Sequence, residues 1–172
     1  ALYLQDVDGN GIEIYADRSA SSWIWKNKEV HMVTEPLKAE EVLAAGADKL
    51  WNGLPSDTVM GHIHLHVGNL EQAEEFYCKG LGFDVVTRYG GQALFISADG
   101  YHHHIGLNIW NGRNIPPASK ESVGLQSFTI HYPNDELRSD VITRLKEIDI
   151  EVQEENEGFI TTDPFGLSSF FK

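Results

Sequence analysis

A single cysteine, Cys78, stands among 172 residues, which excludes a disulfide within the chain. It falls in Glu-Glu-Phe-Tyr-Cys, a helical stretch with no base nearby in sequence, so a structural role is expected rather than a nucleophilic one. Absence of disulfides points to a reducing, cytoplasmic compartment. Cations are scarce too: 13 Lys and Arg face 26 Asp and Glu, for a formal net charge of −13. That argues against nucleic acid, which needs a basic footprint, and against an anionic membrane surface, which attracts polybasic segments. No apolar run is long enough to span a bilayer. The glycines carry no phosphate-loop spacing, and Gly90-Gly91 reads as a turn. Asp6, Asp8 and Asn10 resemble the start of a calcium loop, but no Glu follows at the twelfth position, so that reading is rejected.

What the chain does have is alternation. In Met60–Val67, His62, His64 and His66 point one way and Ile63, Leu65 and Val67 the other. A period of two over this length is a β-strand with an apolar face for a helix and a histidine face for water, a ligand or a metal. Asn69, with Gln72 three residues on, caps a helix over Leu70–Lys79 that Gly80 stops. Strands follow over Phe83–Tyr89, Gln92–Ser97 and His103–Trp110, a β-α-β-β-β unit over 58–115. The pattern then repeats over 123–172. It runs through a strand at Leu125–Tyr132, an amphipathic helix at Leu137–Ile148, and strands at Ile150–Gln153, Phe159–Thr162 and Ser168–Phe171.

Before these units, Ala1–Gln5 and Ile12–Tyr15 form a hairpin around Asp6-Val-Asp-Gly-Asn-Gly, with Glu13 facing opposite to Ile12 and Ile14. Its turn echoes Asp163-Pro-Phe-Gly166. Residues 1–17 therefore read as the closing hairpin of a truncated N-terminal domain, since the chain opens in mid-strand. Residues 18–57 read as a connector whose tryptophans anchor it to a domain surface. It carries one helix from Leu37 to Ala45, with Thr34 as N-cap and Pro36 in the first turn. Residues 58–172 are the complete C-terminal domain.

Gly-His-Ile-His-Leu-His-Val, followed by Asn-Leu-Glu-Gln-Ala-Glu-Glu-Phe-Tyr and Leu-Gly-Phe, resembles a module opening in the vicinal oxygen chelate superfamily. That superfamily covers glyoxalases, bleomycin-resistance proteins and extradiol dioxygenases. Asp6-Val-Asp-Gly-Asn-Gly-Ile-Glu-Ile-Tyr resembles its closing hairpin, and Tyr101-His-His-His-Ile-Gly-Leu-Asn the fourth strand of its dioxygenase-like branch. Nearly the whole chain is similar to a two-domain catechol 2,3-dioxygenase-like protein. The resemblance implies an α+β fold in which paired β-α-β-β-β modules form a cup-shaped mixed sheet with helices outside. It also implies Fe(II) held by two His and one Glu, with Mn or another divalent metal as alternatives, and a histidine acting as acid–base.

Carried over residue by residue, the first ligand is His62. The second falls on Ser127 or Gln126, and the third on Phe170, none of them a usual Fe(II) ligand. Glu13 matches the third ligand but belongs to the truncated domain. The acid–base histidine matches His103. Strict alternation instead groups His103 with Ile105, Leu107 and Ile109 and turns His102 and His104 into the cup with Gly106 and Asn108; a bulge would change the phase. His64, His102, His104, Tyr101, Trp110, Ser127 and Phe170 are expected to line the cup, while His31 and His131 have no constellation and are structural.

The resulting expectation is a metal-dependent, ring-cleaving enzyme for a small catechol-like substrate, its working site ending on Glu13 and its second domain degenerate. The chain alone would be inactive and hold no metal, and its exposed hairpin would favour a homo-oligomer. One alternative is a metal-free binder of aromatic ligands, lined by Phe170, Trp110 and Tyr101. Another is a glyoxalase-type isomerase, which needs Glu or Gln ligands that only Glu13 and Gln126 supply.

Overall fold

The structure, a computed structural model, describes residues 1–156 and 158–172. Strands β1 (Leu2–Gln5) and β2 (Gly11–Ile14) form a hairpin by themselves, and β3 (Trp25–Lys26) and β4 (Glu29–Val30) form a second one. Helix α1 spans Ala39–Gly46. Strand β5 (Ile63–His66) leads into α2 (Leu70–Glu74), which continues over Glu75–Gly80 as a wider π-turn. Strands β6 (Asp84–Tyr89), β7 (Ala93–Ser97) and β8 (Ile105–Asn108) complete the first unit. Strand β9 (Ser127–Ile130), helix α3 (Asp135–Glu147) and strands β10 (Gln153–Glu155), β11 (Gly158–Thr162) and β12 (Ser168–Phe171) make the second.

The two units share one topology. In each, the first strand pairs in parallel with the fourth, and the fourth, third and second pair antiparallel in turn, giving the orders β5-β8-β7-β6 and β9-β12-β11-β10. The α+β reading holds, with the mixed sheet divided into two four-stranded sheets. Helix α2 starts at Leu70 as expected, where Asn69 Oδ1 accepts from Gln72 N at 3.0 Å; α3 starts at Asp135, two residues before the expected Leu137, where Asn134 Oδ1 accepts from Leu137 N at 2.9 Å.

The core lies between the sheets and the helices. Leu65, Val67, Leu94, Ile96, Ile105 and Leu107 from the first sheet meet Ala73, Phe76 and Tyr77 of the α2 segment, Val141 and Leu145 of α3, and Phe171 of β12. Polar links join the units: the buried Tyr77 hydroxyl donates to Asp163 Oδ2 at 2.8 Å, the Tyr132 hydroxyl to Leu81 O at 2.7 Å and Arg144 Nε to Gly80 O at 3.2 Å. Asp163 in turn accepts from the N–H groups of Phe165 and Leu167 through Oδ1, at 2.9 and 2.8 Å. Asp6 repeats this turn in the first hairpin, accepting from Asp8 N and Asn10 N at 2.9 and 2.8 Å. The registers agree as well, Tyr3 facing Glu13 as Ile160 faces Phe170. The β1–β2 hairpin is thus a copy of β11–β12, with Glu13 at the position of Phe170.

The copy differs in its burial. Phe171 is fully buried, whereas its counterpart Ile14 and the neighbouring Leu2, Leu4 and Ile12 are between 40 and 46% exposed. The hairpin meets the rest of the chain through its polar face.

Four local expectations are corrected. Helix α1 begins at Ala39, with Lys38 as a cap lacking a side-chain bond, so Thr34 does not cap it. It has no buried residue; without an apolar partner, local signals alone set its start. The connector also holds β3–β4, whose turn residues Asn27 and Lys28 both have positive φ (52° and 66°). No glycine marks that turn in the sequence. The fourth strand of the first unit is cut from His103–Trp110 to Ile105–Asn108. In the second unit the strand expected over Ile150–Gln153 lies at Gln153–Glu155. There Ile150 N still bonds to Leu145 O at 2.9 Å, closing the end of α3.

Candidate metal centre

Strand β5 supplies the histidine face. His64 and His66 stand beside Gly106 and Asn108 of β8 in parallel register, and His66 Nδ1–H donates to Asn108 Oδ1 at 2.8 Å. Asn108 is buried and also receives Trp110 N–H, so His66 is held in a structural pair rather than offered to a ligand. Gly106 is required here, since a β-carbon on it would lie 2.7 Å from His64 Nδ1.

The sequence pattern assigns Glu13 and His62 to different domains; in the structure their side chains touch. His62 Nε2–H donates to Glu13 Oε2 at 3.0 Å, and His64 Nε2 lies 3.6 Å from the same oxygen. The three residues bring one ligand atom each within 4.8 Å of one another. Tyr15, two residues after Glu13 on the same face of β2, stacks on the His62 ring with centroids 4.8 Å apart. Its approach depends on Gly61, where any β-carbon would collide with the Tyr15 hydroxyl.

His103 resolves the question of phase. His104 N–H donates to Ile96 O at 2.9 Å while Ile105 is already the register partner of Ile96. Two residues oppose one, a β-bulge that breaks strict alternation. His103 therefore turns inward. Its ring lies 4.2 Å from that of His62, 5.7 Å from His64 and 5.0 Å from Phe95. His102 joins from the other side, 4.6 Å from His103, with its Nδ1 3.4 Å from Asp17 Oδ1. His104 is turned away instead: Ala98 N–H donates to its Nδ1 at 3.3 Å and Ser97 Oγ lies 3.0 Å from the same nitrogen.

A strap of connector residues closes one side. The Tyr101 hydroxyl donates to Asp17 Oδ2 at 2.8 Å and meets the Tyr15 hydroxyl at 2.9 Å. Trp23 sets its edge against Tyr101 and His102, at 5.6 and 5.2 Å, which is the expected anchoring role of a connector tryptophan.

The expected cup lining divides. His64, His102 and Tyr101 stand with the cluster. Trp110 is 56% exposed, in the turn after β8, beside a shallow depression with Gln92, Ile109 and Arg113. Ser127 and Phe170 sit on the second sheet, paired with Ser168 and with Thr129 and Ile160. Among the described residues, neither Trp110 nor Phe170 makes a ring contact with the histidines.

Three participants went unforeseen. Tyr15 carried a usable signal, since it alternates with Glu13. Phe95 and Asp17 carried none, because only tertiary packing brings them in.

Burial lowers the imidazole pKa values of His64, His102 and His103, and neighbouring histidines add to the effect; His103 falls to about 2. These rings are neutral at physiological pH, the form that ligates a metal. Among the described residues, His62 Nδ1 and both nitrogens of His103 are buried without a hydrogen-bond partner. A buried polar atom left unpaired costs free energy, and a cation with open coordination positions is the partner such atoms fit.

A model of the Glyoxalase/Bleomycin resistance protein/Dioxygenase superfamily matches residues 59–167, from the histidine strand to the turn before β12. The chain belongs to this superfamily. A catechol-2,3-dioxygenase of Bacillus subtilis (strain 168) is 47% identical over 167 residues, covering 95% of this chain and 58% of that protein. The chain thus spans a little over half the length of that superfamily member. Among solved structures, a possible glyoxalase from Bacillus cereus matches with a TM-score of 0.51 at 17% identity, over 66% of this chain and 97% of that one. An integron cassette protein from the mobile metagenome of V. cholerae matches with a TM-score of 0.51 at 19% identity, over 69% and 97%. These two show the superfamily's fold. Among the described residues, no helix is long and apolar enough to cross a membrane.

Proposed function

We propose that this chain carries the metal centre of a ring-cleaving dioxygenase acting on a small catechol-type diol, as part of a longer polypeptide. The observation that carries the reading is the meeting of Glu13 with His62 and His64, two imidazoles and one carboxylate around a shared oxygen. Glu13, His62 and His64 would hold Fe(II) or a similar divalent ion, which when bound supplies a Lewis acid with open positions for vicinal oxygens and for dioxygen. The 47% identity to a protein named for this activity supports the same reading.

The remaining roles follow from placement. His103 is neutral and buried, and both ring nitrogens are free of partners. A diol bound beside His62 would meet a neutral imidazole that burial keeps weakly basic, so for His103 to take a hydroxyl proton and return it, the anionic oxygen left beside the ring must favour the imidazolium. Phe95, at 5.0 Å from His103 and 6.2 Å from His64, gives an aromatic ring an edge to rest on. Ser127 and Phe170 offer no ligand, so the second unit supports the first without a metal of its own.

The test is catechol cleavage, followed by oxygen uptake and ring-opened product, on the full-length polypeptide reconstituted with Fe(II). Loss of a carboxylate ligand should lower activity by at least about 100-fold, the upper end of what supporting residues cost. A Glu13→Ala variant as active as the parent defeats the reading.

A further inference from the structure

We propose that His62, His102 and His103 form a second, all-imidazole position for a transition metal, an alternative to the Glu13 position rather than an addition to it. The three rings each bring one ligand atom within 4.8 Å of the others. The set is buried where it matters: the His62 side chain is 4% exposed and His103 is 7% exposed. Among the described residues, His62 Nδ1, His102 Nδ1 and both nitrogens of His103 are buried without a hydrogen-bond partner. Asp17 lies beside the His102 ring, its Oδ1 3.4 Å from Nδ1 and misaligned for a hydrogen bond, while Tyr101 holds its other oxygen at 2.8 Å. With His102 ligating through Nε2, a small turn of its ring would bring Nδ1–H onto Asp17, the hydrogen bond that orients metal-ligating imidazoles and raises their basicity.

The two positions exclude each other through His62. A neutral imidazole has one lone-pair nitrogen, so His62 can serve one ion at a time. Donor chemistry then sorts the ions. A set with a carboxylate suits iron or manganese, whereas three imidazoles with an open fourth position suit zinc, nickel or copper. Zinc would therefore be drawn to the histidine side, away from Glu13, and compete with the ion that Glu13 retains. The all-imidazole position stands whether or not the chain cleaves catechols.

Chelator-competition titrations of the metal-free protein with Zn2+ and, separately, Mn2+ test this. His102→Gln should weaken Zn2+ binding by at least about tenfold and leave Mn2+ unchanged. Glu13→Gln should do the reverse. Asp17→Asn, which removes no ligand, should weaken Zn2+ by a smaller factor and serves if His102→Gln does not fold by circular dichroism. Unchanged Zn2+ affinity in both His102→Gln and Asp17→Asn overturns the proposal. So does an equal loss for both metals in each variant, which would mean one site. If Glu13→Gln spares Mn2+ while His102→Gln still weakens Zn2+, the catechol centre on Glu13 fails and the all-imidazole position survives.

Discussion

Gly61→Ala isolates the contact that docks the first hairpin onto the histidine strand. The backbone at Gly61 is not in the left-handed region, so alanine fits the chain itself and even lowers the entropy of the unfolded state, by about 0.4–1 kcal/mol. The conflict is elsewhere: the added β-carbon would collide with the Tyr15 hydroxyl and come within 2.7 Å of its Cζ. Tyr15 must leave. With it go the hydrogen bond to Tyr101, at 2.9 Å, and the stack on His62, at 4.8 Å. A hydrogen bond and an aromatic contact of this kind contribute about 0.5–1.5 kcal/mol each. The hairpin's Leu2, Leu4, Ile12 and Ile14 are 40 to 46% exposed, so the contact of Glu13 with His62 is the main one left to resist its release. Hydrogen exchange should therefore report amides of β1 and β2 opening about 5- to 150-fold more often, the equivalent of about 1–3 kcal/mol, while amides of β7 and β8 keep their protection. Thermal stability of the core should hardly move. Combining Gly61→Ala with Tyr15→Ala should add nothing beyond Tyr15→Ala, because both remove one contact. Hairpin protection equal to that of the parent would refute the docking geometry, and with it the approach of Glu13 to His62.

Three further outcomes concern the fold. Tyr77→Phe leaves Asp163 Oδ2 buried without its donor, a loss of about 1–3 kcal/mol in urea unfolding. Burial raises the pKa of Asp163 in the folded chain, against the lowering by its hydrogen bonds. Its contribution to stability is therefore whole below the unfolded value near 3.8 and is lost as pH rises through the folded value, so Asp163→Asn should flatten the urea midpoint across that window. Phe171→Ala opens the fully buried contact between β12 and the helices and should cost about 3–5 kcal/mol, read by the same unfolding curves.

Much of the architecture was legible because its signals are local. Asn69 and Asn134 each sit three residues before the amide they cap, and alternation in Met60–Val67 needs only a period of two. The Asp6 and Asp163 turns repeat one hydrogen-bond pattern, so the first hairpin could be matched to the last without any tertiary information, and Glu13 placed opposite Phe170 in the repeat. Family membership followed from the same short motifs.

The site was not legible in this way. Glu13 and His62 lie 49 positions apart, across a connector whose helix buries nothing, and no local pattern says where such a hairpin will dock. Which of three consecutive histidines faces inward depends on one bulge at His104, and a bulge reverses every orientation that alternation assigns. Asp17 and Phe95 enter the site only through packing, whereas alternation with Glu13 already put Tyr15 on the same face. The sequence by itself determined the repeated unit, its caps and its turns, since those rest on neighbours in the chain. Tertiary structure alone decided which imidazoles meet a carboxylate and which meet one another, because side chains remote in sequence converge only after the hairpin and the bulged strand have been fixed in space.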